Sequence, residues 1–294
     1  MPDRPREVTL RPLLILNPRA GRSRPSPTAD ALRGAFARHG LEVDLVPTQG
    51  PAHATELARR AASDTVVAVG GDGTLHEVIE GLDLERQRLG VIPAGSGNDF
   101  AWAHAIPRDL DAAVARIAAG RERRVDLGAC ECGRFHNNLG LGFEAEVNRL
   151  SHAVRGVRGP ALYFVALARA LARLRPYGLE LEWEGGSSSG PLLGAALVNG
   201  GRVGGAFLLA PGARADDGAL DLLVTGAMGR WSLLAALGPV LAGREPRDGR
   251  LRRARTAWLR ARAAAPVPVY IDGEYAGERR ELSARVLPGA LRLL

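Results

Sequence analysis

The sequence predicts an α/β domain with a parallel sheet, followed by a mostly antiparallel β domain built as a sandwich or a barrel. Three observations support this fold class. Predicted strands and helices alternate up to Val125, whereas short alternating strands separated by Gly, Ser and Asp turns follow it. The chain has 294 residues, which is long for a single hydrophobic core, so two domains are expected.

In the N-terminal part, compact or alternating apolar runs predict strands, and apolar residues at helical spacing predict the helices between them. Thr28–His39 has this helical spacing and stops at Gly40, whereas Thr65–Val69 is apolar and rich in β-branched residues. The predicted strands are Leu13–Leu16, Leu41–Val46, Thr65–Val69 and Leu89–Ile92, and the predicted helices are Thr28–His39, Ala52–Ala62, Leu75–Leu82 and Leu110–Ala119. Their alternation indicates βαβ units and a parallel sheet.

After Val125, short alternating segments bounded by turn residues predict an antiparallel β domain. The predicted strands are Phe135–Leu139, Leu179–Trp183, Leu192–Val198, Ala206–Ala210, Leu220–Thr225, Trp258–Ala261 and Val267–Ile271. Two predicted helices, Ala161–Leu174 and Arg230–Leu241, interrupt them.

Three predicted strands of the α/β domain are each followed by a glycine-bearing loop: Asn17–Gly21, Gly70–Thr74 and Gly95–Asp99. Because the loops that leave the strand ends of an open parallel sheet gather at one edge, we expect them to lie together. Their backbone N–H groups and the carboxylates of Asp72 and Asp99 suit a nucleotide phosphate chain with its magnesium. A single loop of this kind indicates only a tight turn, but three in equivalent places favour a phosphate site.

The chain has a net charge of +7, and all 39 basic residues are arginine because it contains no lysine. A Walker A phosphate loop, which requires Gly-Lys-Ser/Thr, is therefore excluded. The cations nearest the first loop are Arg19, Arg22 and Arg24. The positive charge suits an anionic membrane surface, a nucleotide or a nucleic acid.

No transmembrane segment and no secretory signal are visible, so a cytoplasmic location is expected.

Three further motifs each have a structural explanation beside a functional one. Gly140–Ala145 matches the GxGxxA dinucleotide fingerprint, but no acidic residue follows at the ribose-binding spacing, which favours a packing role. Asp217-Gly218 and Asp272-Gly273 each suit a hairpin turn. The Asp272 and Glu274 pair also offers carboxylates, one of which would serve as a general base if this segment faces a cleft.

Taken in chain order, these residues resemble the diacylglycerol kinase catalytic family, in its bacterial soluble lipid kinase branch. The motifs that carry the resemblance are Asn17-Pro-x-x-Gly21, Gly70-Gly-Asp-Gly-Thr74, Pro93-x-Gly-x-x-Asn98-Asp-Phe100, Val125-Asp-Leu-Gly128, Asn138-x-Gly-x-Gly-Phe143, Asp217-Gly218 and Asp272-Gly-Glu274. The resemblance implies a Rossmann-like nucleotide-binding domain over residues 1–127 and a β-sandwich lipid-substrate domain over residues 128–285, with the active site in the cleft between them. It also implies that the tail 286–294 joins the first domain.

The resemblance further implies roles for individual residues. ATP would be held by Asn17, Pro18, Arg19, Ala20, Gly21, Thr48, Gly70, Gly71, Asp72, Gly73, Thr74, Leu75, His76, Ser96, Asp99 and Asp126. Among these, Asp72, Asp99 and Asp126 match the aspartates of a water-mediated magnesium network. A structural magnesium would take the side chain of Asp217 and the backbone oxygens of Arg214 and Ala219. Glu274 aligns with the proton acceptor, and Asp272 would assist it.

The sequence departs from the family pattern at three places. His76 stands where the family usually has Asn, Ser96 where Thr is common, and Glu144 where Asp is frequent. Ser96 keeps the hydroxyl group. His76 is bulkier and titratable, which leaves the local nucleotide contact open.

The sequence therefore predicts an ATP- and Mg²⁺-dependent lipid kinase, a phosphotransferase that acts on the alcohol group of a diacylglycerol-like lipid. Ala161–Leu174, with Arg169 and Arg173 on one face, and the eight arginines of 244–262 suit peripheral association with the inner face of a membrane, or equally a solvated cover on the β domain. A kinase of the NAD kinase type, acting on a soluble hydroxyl substrate, is the main alternative. A nucleic-acid binder is disfavoured, because it leaves the ordered aspartates unexplained. Monomer and homodimer both remain open.

Overall fold

The computed structural model describes residues 11–21, 26–154, 160–205, 207–241, 244 and 248–294. Arg22 and Arg24, expected near the first loop, lie outside the described residues, as do Ala206 and Arg247.

The N-terminal half folds into a parallel sheet in the order β2-β1-β3-β4. Its strands are β1 (Leu13–Leu16), β2 (Asp44–Pro47), β3 (Thr65–Gly70) and β4 (Arg88–Pro93), and its helices are α1 (Ala29–Arg38), α2 (His53–Arg60), α3 (Asp72–Gly81), α4 (Asp99–Ala103) and α5 (Leu110–Ala118). Side chains of α2 and α3 form one apolar core with the sheet, and those of α1 and α5 form another. Because helices cover both faces, every residue of β3 is buried, which explains its continuous apolar sequence.

The C-terminal half is mostly antiparallel and encloses its own apolar core. Its strands are β5 (Arg123–Cys130), β6 (Gly133–Phe135), β7 (Asn138–Gly142), β8 (Tyr177–Trp183), β9 (Gly186–Val198), β10 (Arg202–Val203), β11 (Phe207–Leu208), β12 (Leu220–Gly226), β13 (Leu251–Thr256), β14 (Trp258–Ile271) and β15 (Glu274–Leu293). The helices are α6 (Phe143–His152), α7 (Pro160–Ala172) and α8 (Arg230–Leu241). The predicted fold class, an α/β domain followed by a β sandwich, is confirmed.

Three predicted strands have other limits in the structure. The segment predicted as one strand, Phe135–Leu139, is divided between β6 and β7, because the backbone N–H groups between them bind a side chain rather than a neighbouring strand. Trp258–Ala261 and Val267–Ile271, predicted as separate strands, belong to the single strand β14. Its register against β15 shifts between Arg262 and Val267, where the apolar alternation is interrupted.

The last strand connects the two halves. β15 pairs antiparallel with β14 and β5, and its final residues Arg292 and Leu293 pair parallel with β4. Leu291 and Leu293 are fully buried in the core of the N-terminal sheet. This strand therefore fixes the β sandwich against the edge of the parallel sheet, while the domain limits at 127 and 285 stay predictions.

Within the part of the chain that the structure describes, no helix is long and apolar enough to cross a bilayer.

Candidate active site

The three glycine loops lie together at the carboxyl edge of the parallel sheet. The side-chain amide of Asn17 donates to the hydroxyl of Thr74 over 2.9 Å, which joins the first loop to the second. A Cβ atom built on Gly95 would lie 2.4 Å from the Cα of Gly71, so the second and third loops touch through their backbones and leave no room for a side chain. Thr48 follows β2 and donates its backbone N–H to Leu16 over 2.8 Å, beside the first loop.

Asn98 fixes the conformation of the third loop. Its backbone is left-handed, with φ of 52°, and its side-chain amide bonds both the N–H and the C=O of Gly95, over 2.9 and 2.8 Å. The carboxylate of Asp72 accepts the N–H of Phe100 at the start of α4, over 3.3 Å. Ser96 is exposed at the tip of this loop. Leu75, expected among the ATP contacts, packs its side chain in the core, which leaves only its backbone for a ligand.

Asp72 and Asp99 approach each other across Gly97. A Cβ on Gly97 would lie 3.0 Å from Oδ2 of Asp72 and 3.6 Å from Oδ2 of Asp99. Burial and the charge of Asp72 raise the pKa of Asp99 to about 6, although the N–H of Gly205 and the guanidinium of Arg202 act in the opposite direction. Two carboxylates beside the predicted phosphate site suit Mg²⁺, which usually binds one or two carboxylates together with phosphate oxygens and water.

Arg202 is a site residue that the sequence analysis missed. It donates to the carboxylate of Asp99 over 2.8 Å and to the backbone oxygens of Gly97 and Asn98 over 2.9 and 3.2 Å. Its guanidinium also lies 4.9 Å from the ring centre of Trp102. Arg202 thereby connects the β domain to the third loop. The glycine pairs that flank it at 200–201 and 204–205 were its only sequence signal.

The carboxylate of Asp126 is bound by backbone groups of two other segments. Its two carboxylate oxygens accept the N–H groups of Gly218 and Gly289, each over 2.7 Å, and the side chain is buried. These bonds attach β5 to the loop before β12 and to β15. Asp126 therefore holds together the segments that join the two halves, and its part in a magnesium network stays a prediction.

One expected ligand of the structural magnesium, the side chain of Asp217, has partners within the protein. Asp217 forms a hydrogen bond with Arg255 of β13, and its other oxygen accepts the N–H of Ala219 over 3.2 Å. Arg214 pairs with Asp216 over 3.1 Å. Among the described residues, no three His, Cys, Asp or Glu side chains are grouped as metal ligands. The carboxylate of Asp217 is therefore paired with a guanidinium, and the structural magnesium site stays a prediction.

A two-residue turn, Asp272-Gly273, joins β14 to β15. Both residues have positive φ, 48° and 88°, as a type I′ hairpin turn requires. The buried carboxylate of Asp272 accepts the backbone N–H groups of His136, Asn137 and Asn138 over 2.8 to 3.0 Å. Burial alone would raise the pKa of Asp272, but the charge of His136, the hydrogen bond and charge of His76 and these N–H groups bring that pKa below its usual value.

Glu274 begins β15 immediately after this turn, and its side chain is exposed. A Cβ built on Gly73 would lie 3.7 Å from Oε1 of Glu274. The carboxylate of a β-domain residue thus lies against the first turn of α3, next to the second glycine loop. From the other side, Asn148 and His152 of α6 bond the carbonyl oxygen of Gly273 over 2.6 and 3.1 Å.

His76 faces the same turn from α3. Its Nδ1 lies 3.0 Å from Oδ2 of Asp272. Burial acts to lower the pKa of His76, but the hydrogen bond and charge of Asp272, with smaller effects of Glu80 and Glu274, raise it above its usual value. Glu144 lies behind the turn beside Tyr270, whose hydroxyl donates to it over 3.4 Å, and burial raises the pKa of Glu144 to about 7.

Comparison with known proteins places both halves in described families. Residues 11–130 match the diacylglycerol kinase catalytic domain, and residues 137–294 match the YegS C-terminal NAD kinase beta sandwich-like domain. A Pseudomonas aeruginosa protein named probable lipid kinase YegS-like is 37% identical over 81% of this chain and 78% of its own length. A diacylglycerol kinase of Bacillus subtilis is 29% identical over 90% of this chain and 89% of its own length.

The fold has a counterpart among solved structures. A crystal structure of a diacylglycerol kinase from Bacillus anthracis strain Sterne matches 96% of both chains with a TM-score of 0.72 and 18% sequence identity. This similarity shows the arrangement of the two domains.

Proposed function

This chain belongs to the diacylglycerol kinase catalytic family and is a phosphotransferase that acts on an alcohol group, and on that premise we propose that it transfers the γ-phosphate of ATP to a hydroxyl of a diacylglycerol-like lipid. The observation that carries the proposal is the position of Glu274, a β-domain carboxylate that lies against Gly73 of the second glycine loop. A proton acceptor and a phosphate loop thereby face each other across the two halves.

In this mechanism Glu274 accepts the proton of the lipid hydroxyl while the oxygen attacks the γ-phosphorus in line. Backbone N–H groups of the loops around Gly71 and Gly95 bind the phosphate oxygens. Asp72 and Asp99 would hold the magnesium ion, which supplies positive charge to the phosphates when it is bound. Arg202 keeps the carboxylate of Asp99 in place. Positioning and electrostatic stabilisation dominate the catalysis, because phosphoryl transfer needs little covalent chemistry from the protein.

The environments of the two candidate bases favour Glu274 over Asp272. Asp272 is buried and accepts three backbone N–H groups, so it has little capacity to take up a proton at neutral pH. Glu274 is exposed and reaches the phosphate loop. In this proposal Asp272 therefore fixes the conformation of the turn, and Glu274 accepts the proton.

Phosphate transfer from radiolabelled ATP tests the proposal. The wild-type protein and the variants E274Q and D272N are incubated with ATP, Mg²⁺ and a panel of diacylglycerol and other hydroxyl-bearing lipids in mixed micelles, with NAD as the soluble alternative. The NAD arm is included because the C-terminal half matches a NAD kinase-like sandwich. Labelled lipid without labelled NADP supports the proposal, whereas labelled NADP alone would favour the soluble-substrate kinase.

E274Q is expected to lower turnover by roughly 10³-fold, because it removes a general base and leaves the phosphate loops intact. The dissociation constant for ATP, measured by calorimetry, should stay within about threefold of the wild type. Retained turnover in E274Q would mean that another group accepts the proton of the hydroxyl.

A lipid substrate also requires contact with a membrane, and we propose that the protein associates with it peripherally through α7 and α8. The apolar face of α7 is largely used for packing, since Ala166, Ala170 and Leu171 are buried. What remains exposed is Phe164 on α7, at 50%, with Trp231 at 84% and Leu234 at 38% on α8. Exposed aromatic and aliphatic side chains near arginines suit the interface of an anionic bilayer.

The ends of the two helices meet, because Arg230 at the start of α8 donates to the carbonyl oxygen of Ala172 at the end of α7 over 3.1 Å. Arg169, Arg173 and Arg230 are exposed beside them. We call the side chains of Phe164, Trp231 and Leu234 the α7–α8 surface.

A further inference from the structure

One hydrogen bond joins the first turns of α3 to the turn that precedes Glu274. Nδ1 of His76 lies 3.0 Å from Oδ2 of Asp272, across a sequence separation of 196 positions. In the described part of the chain, this is the hydrogen bond that reaches the Asp272-Gly273 turn from the α/β domain. The other hydrogen bonds to this turn come from residues 136–138 and from α6, all within the β domain.

The same face of α3 carries the contact with Glu274. Gly73 and His76 are three positions apart and therefore neighbours on one side of the helix. Glu274 lies against Gly73, and Asp272 lies against His76. The turn is thus fitted to α3 at two adjacent points, and only the contact at His76 is a hydrogen bond.

Asp272 lies two residues before Glu274 at the same turn, so a contact that fixes Asp272 also limits where Glu274 can lie. Its carboxylate is fixed by the N–H groups of His136, Asn137 and Asn138, and its backbone N–H donates to Asn138 over 2.9 Å. A carboxylate with this many donors has one orientation. A partner that binds it therefore sets the distance between the turn and α3.

We propose that His76 is a positioning residue, whose Nδ1–H bond to Asp272 holds the β14–β15 turn against α3 so that the Glu274 carboxylate lies beside the second glycine loop. The proposal rests on the proposed function, because it takes Glu274 as the proton acceptor. It assigns His76 to the acceptor side of the reaction, where the family resemblance had implied only a nucleotide contact.

Variants that differ in the position of the donor atom at residue 76 test the proposal. In an asparagine side chain, Nδ2 occupies nearly the place of Nδ1 in histidine, one bond beyond Cγ, so H76N can donate to Asp272. In a glutamine, the amide nitrogen corresponds to Nε2 instead, so H76Q cannot make this bond without moving the helix. H76L fills a similar volume and has no donor.

The strength of the hydrogen bond between His76 and Asp272 should also depend on pH. The charged and titratable groups that face His76 are Asp272 and Glu274 of the turn, Glu80 of α3 and His136 behind Asp272. Protonated His76 makes a charge-assisted bond, and the neutral ring makes a weaker one. The Asp272 carboxylate stays ionised throughout the neutral range, so His76 is the member of the pair whose charge changes there.

Steady-state kinetics on the intact protein test the proposal, with ATP and the lipid that the wild type phosphorylates. H76L and H76Q are expected to lower kcat about 10²-fold, the cost of misplacing a reacting group by about 1 Å, with the KM for ATP within about twofold. H76N should restore kcat to within about threefold of the wild type. H39N, on an exposed histidine at the end of α1, is the matched control and should change nothing.

The pH profile separates positioning from a merely structural role. In the wild type, kcat should fall about fivefold as the pH rises through the pKa of His76, and in H76N this step should be absent. A full kcat in H76L would overturn the proposal. A raised KM for ATP with unchanged kcat, or rescue by H76Q equal to that by H76N, would also overturn it and make His76 a nucleotide contact.

Amide hydrogen exchange over residues 271–275 gives a readout that does not depend on the substrate. H76L should exchange faster there than the wild type and H76N, while the melting temperatures show that all variants fold. If the wild type phosphorylates nothing in the panel, the proposed function fails and this measurement still decides whether His76 fixes the turn. If the wild type is active, E274Q is inactive and H76L is normal in both kcat and exchange, only the positioning role fails.

Discussion

Two acidic residues separated by one glycine, Asp272 and Glu274, have different surroundings, which is the reason for proposing different roles for them. Asp272 is buried among three N–H donors and two histidines, which stabilise its negative charge. Glu274 is exposed and meets the glycine loop. In proteins that use carboxylates for acid–base chemistry, such differences in environment decide which of two groups handles the proton.

The His76–Asp272 pair predicts a pH-dependent stability. The pKa of His76 is raised above 6.5, so its contribution is complete below that pH and is lost as the pH rises through the folded-state pKa. The pKa of Asp272 is lowered below 3.8, so its contribution is present above that pH and is lost in stronger acid. The stabilisation should therefore be greatest between these two values.

Urea unfolding of the wild type and H76N at pH 5.5 and pH 8 measures this effect, the two pH values being on the order of one unit either side of the ordinary histidine pKa. The free energy of unfolding of the wild type, relative to H76N, should be about 1 kcal/mol greater at the lower pH, the usual gain of a charge-assisted over a neutral hydrogen bond. An equal difference at both pH values would mean that His76 keeps the same charge throughout.

At the level of residues, the sequence predicted the groups that lie in short motifs and missed those that meet across the fold. The glycine loops and Glu274 were found because each stands next to its own local signal. Arg202 was missed because its bond to Asp99 spans 103 positions and neither neighbouring sequence encodes it. The bond from His76 to Asp272 has the same origin.

Among the elements, β12 and β13 form the surroundings of Asp217, the carboxylate that the predicted structural magnesium would use. Asp217, just before β12, pairs with Arg255 of β13, which stands opposite Asp221 in the ladder between the two strands. A guanidinium therefore neutralises the carboxylate that a magnesium ion would need. Removal of this arginine should open the site to the cation.

We expect R255M to gain a stabilisation by Mg²⁺ that the wild type lacks. With millimolar Mg²⁺ and no nucleotide, the melting temperature of R255M should rise by roughly 2–4 °C, which corresponds to about 1 kcal/mol for a domain of this size. The wild type should change by less than about 1 °C, as should R252M, a matched change of an exposed arginine on the same strand. A wild-type rise equal to that of R255M would show that Asp217 leaves Arg255 to bind the cation.

The elements themselves were predicted best where the periodicity was strong. The strands and helices of the parallel sheet were predicted to within a few residues, except for the single turn of α4, which is too short to show a period. β15 was not predicted from the apolar pattern, because Gly277, Pro288 and Gly289 lie within it and such residues usually indicate turns; only the resemblance implied that residues 286–294 return to the first domain. Strand pairing with three different partners keeps it extended.

At the scale of the whole molecule, the α7–α8 surface predicts how the protein binds to a membrane. W231A should weaken co-sedimentation with vesicles that contain anionic phosphatidylglycerol by roughly tenfold, because an interfacial tryptophan contributes about 1–2 kcal/mol. The blue shift of tryptophan fluorescence on binding should be lost as well. W183F, a change on β8, should leave both readouts as in the wild type.

Rising salt should weaken the binding further, since arginines provide part of the attraction. If W231A binds vesicles as the wild type does at every lipid concentration, another surface makes the contact.

The path of β15 has a consequence for the order in which the protein is made. The outer edge of β4 receives Arg292 and Leu293, which lie at the end of β15 and are therefore synthesised after all the other strands of the two halves. Until then the earliest-synthesised sheet has an uncovered edge and a core that lacks Leu291 and Leu293. The N-terminal half therefore cannot complete its sheet and its core during translation until β15 has been synthesised, and a truncation before Leu291 would leave that half unfinished although all of its own sequence is present.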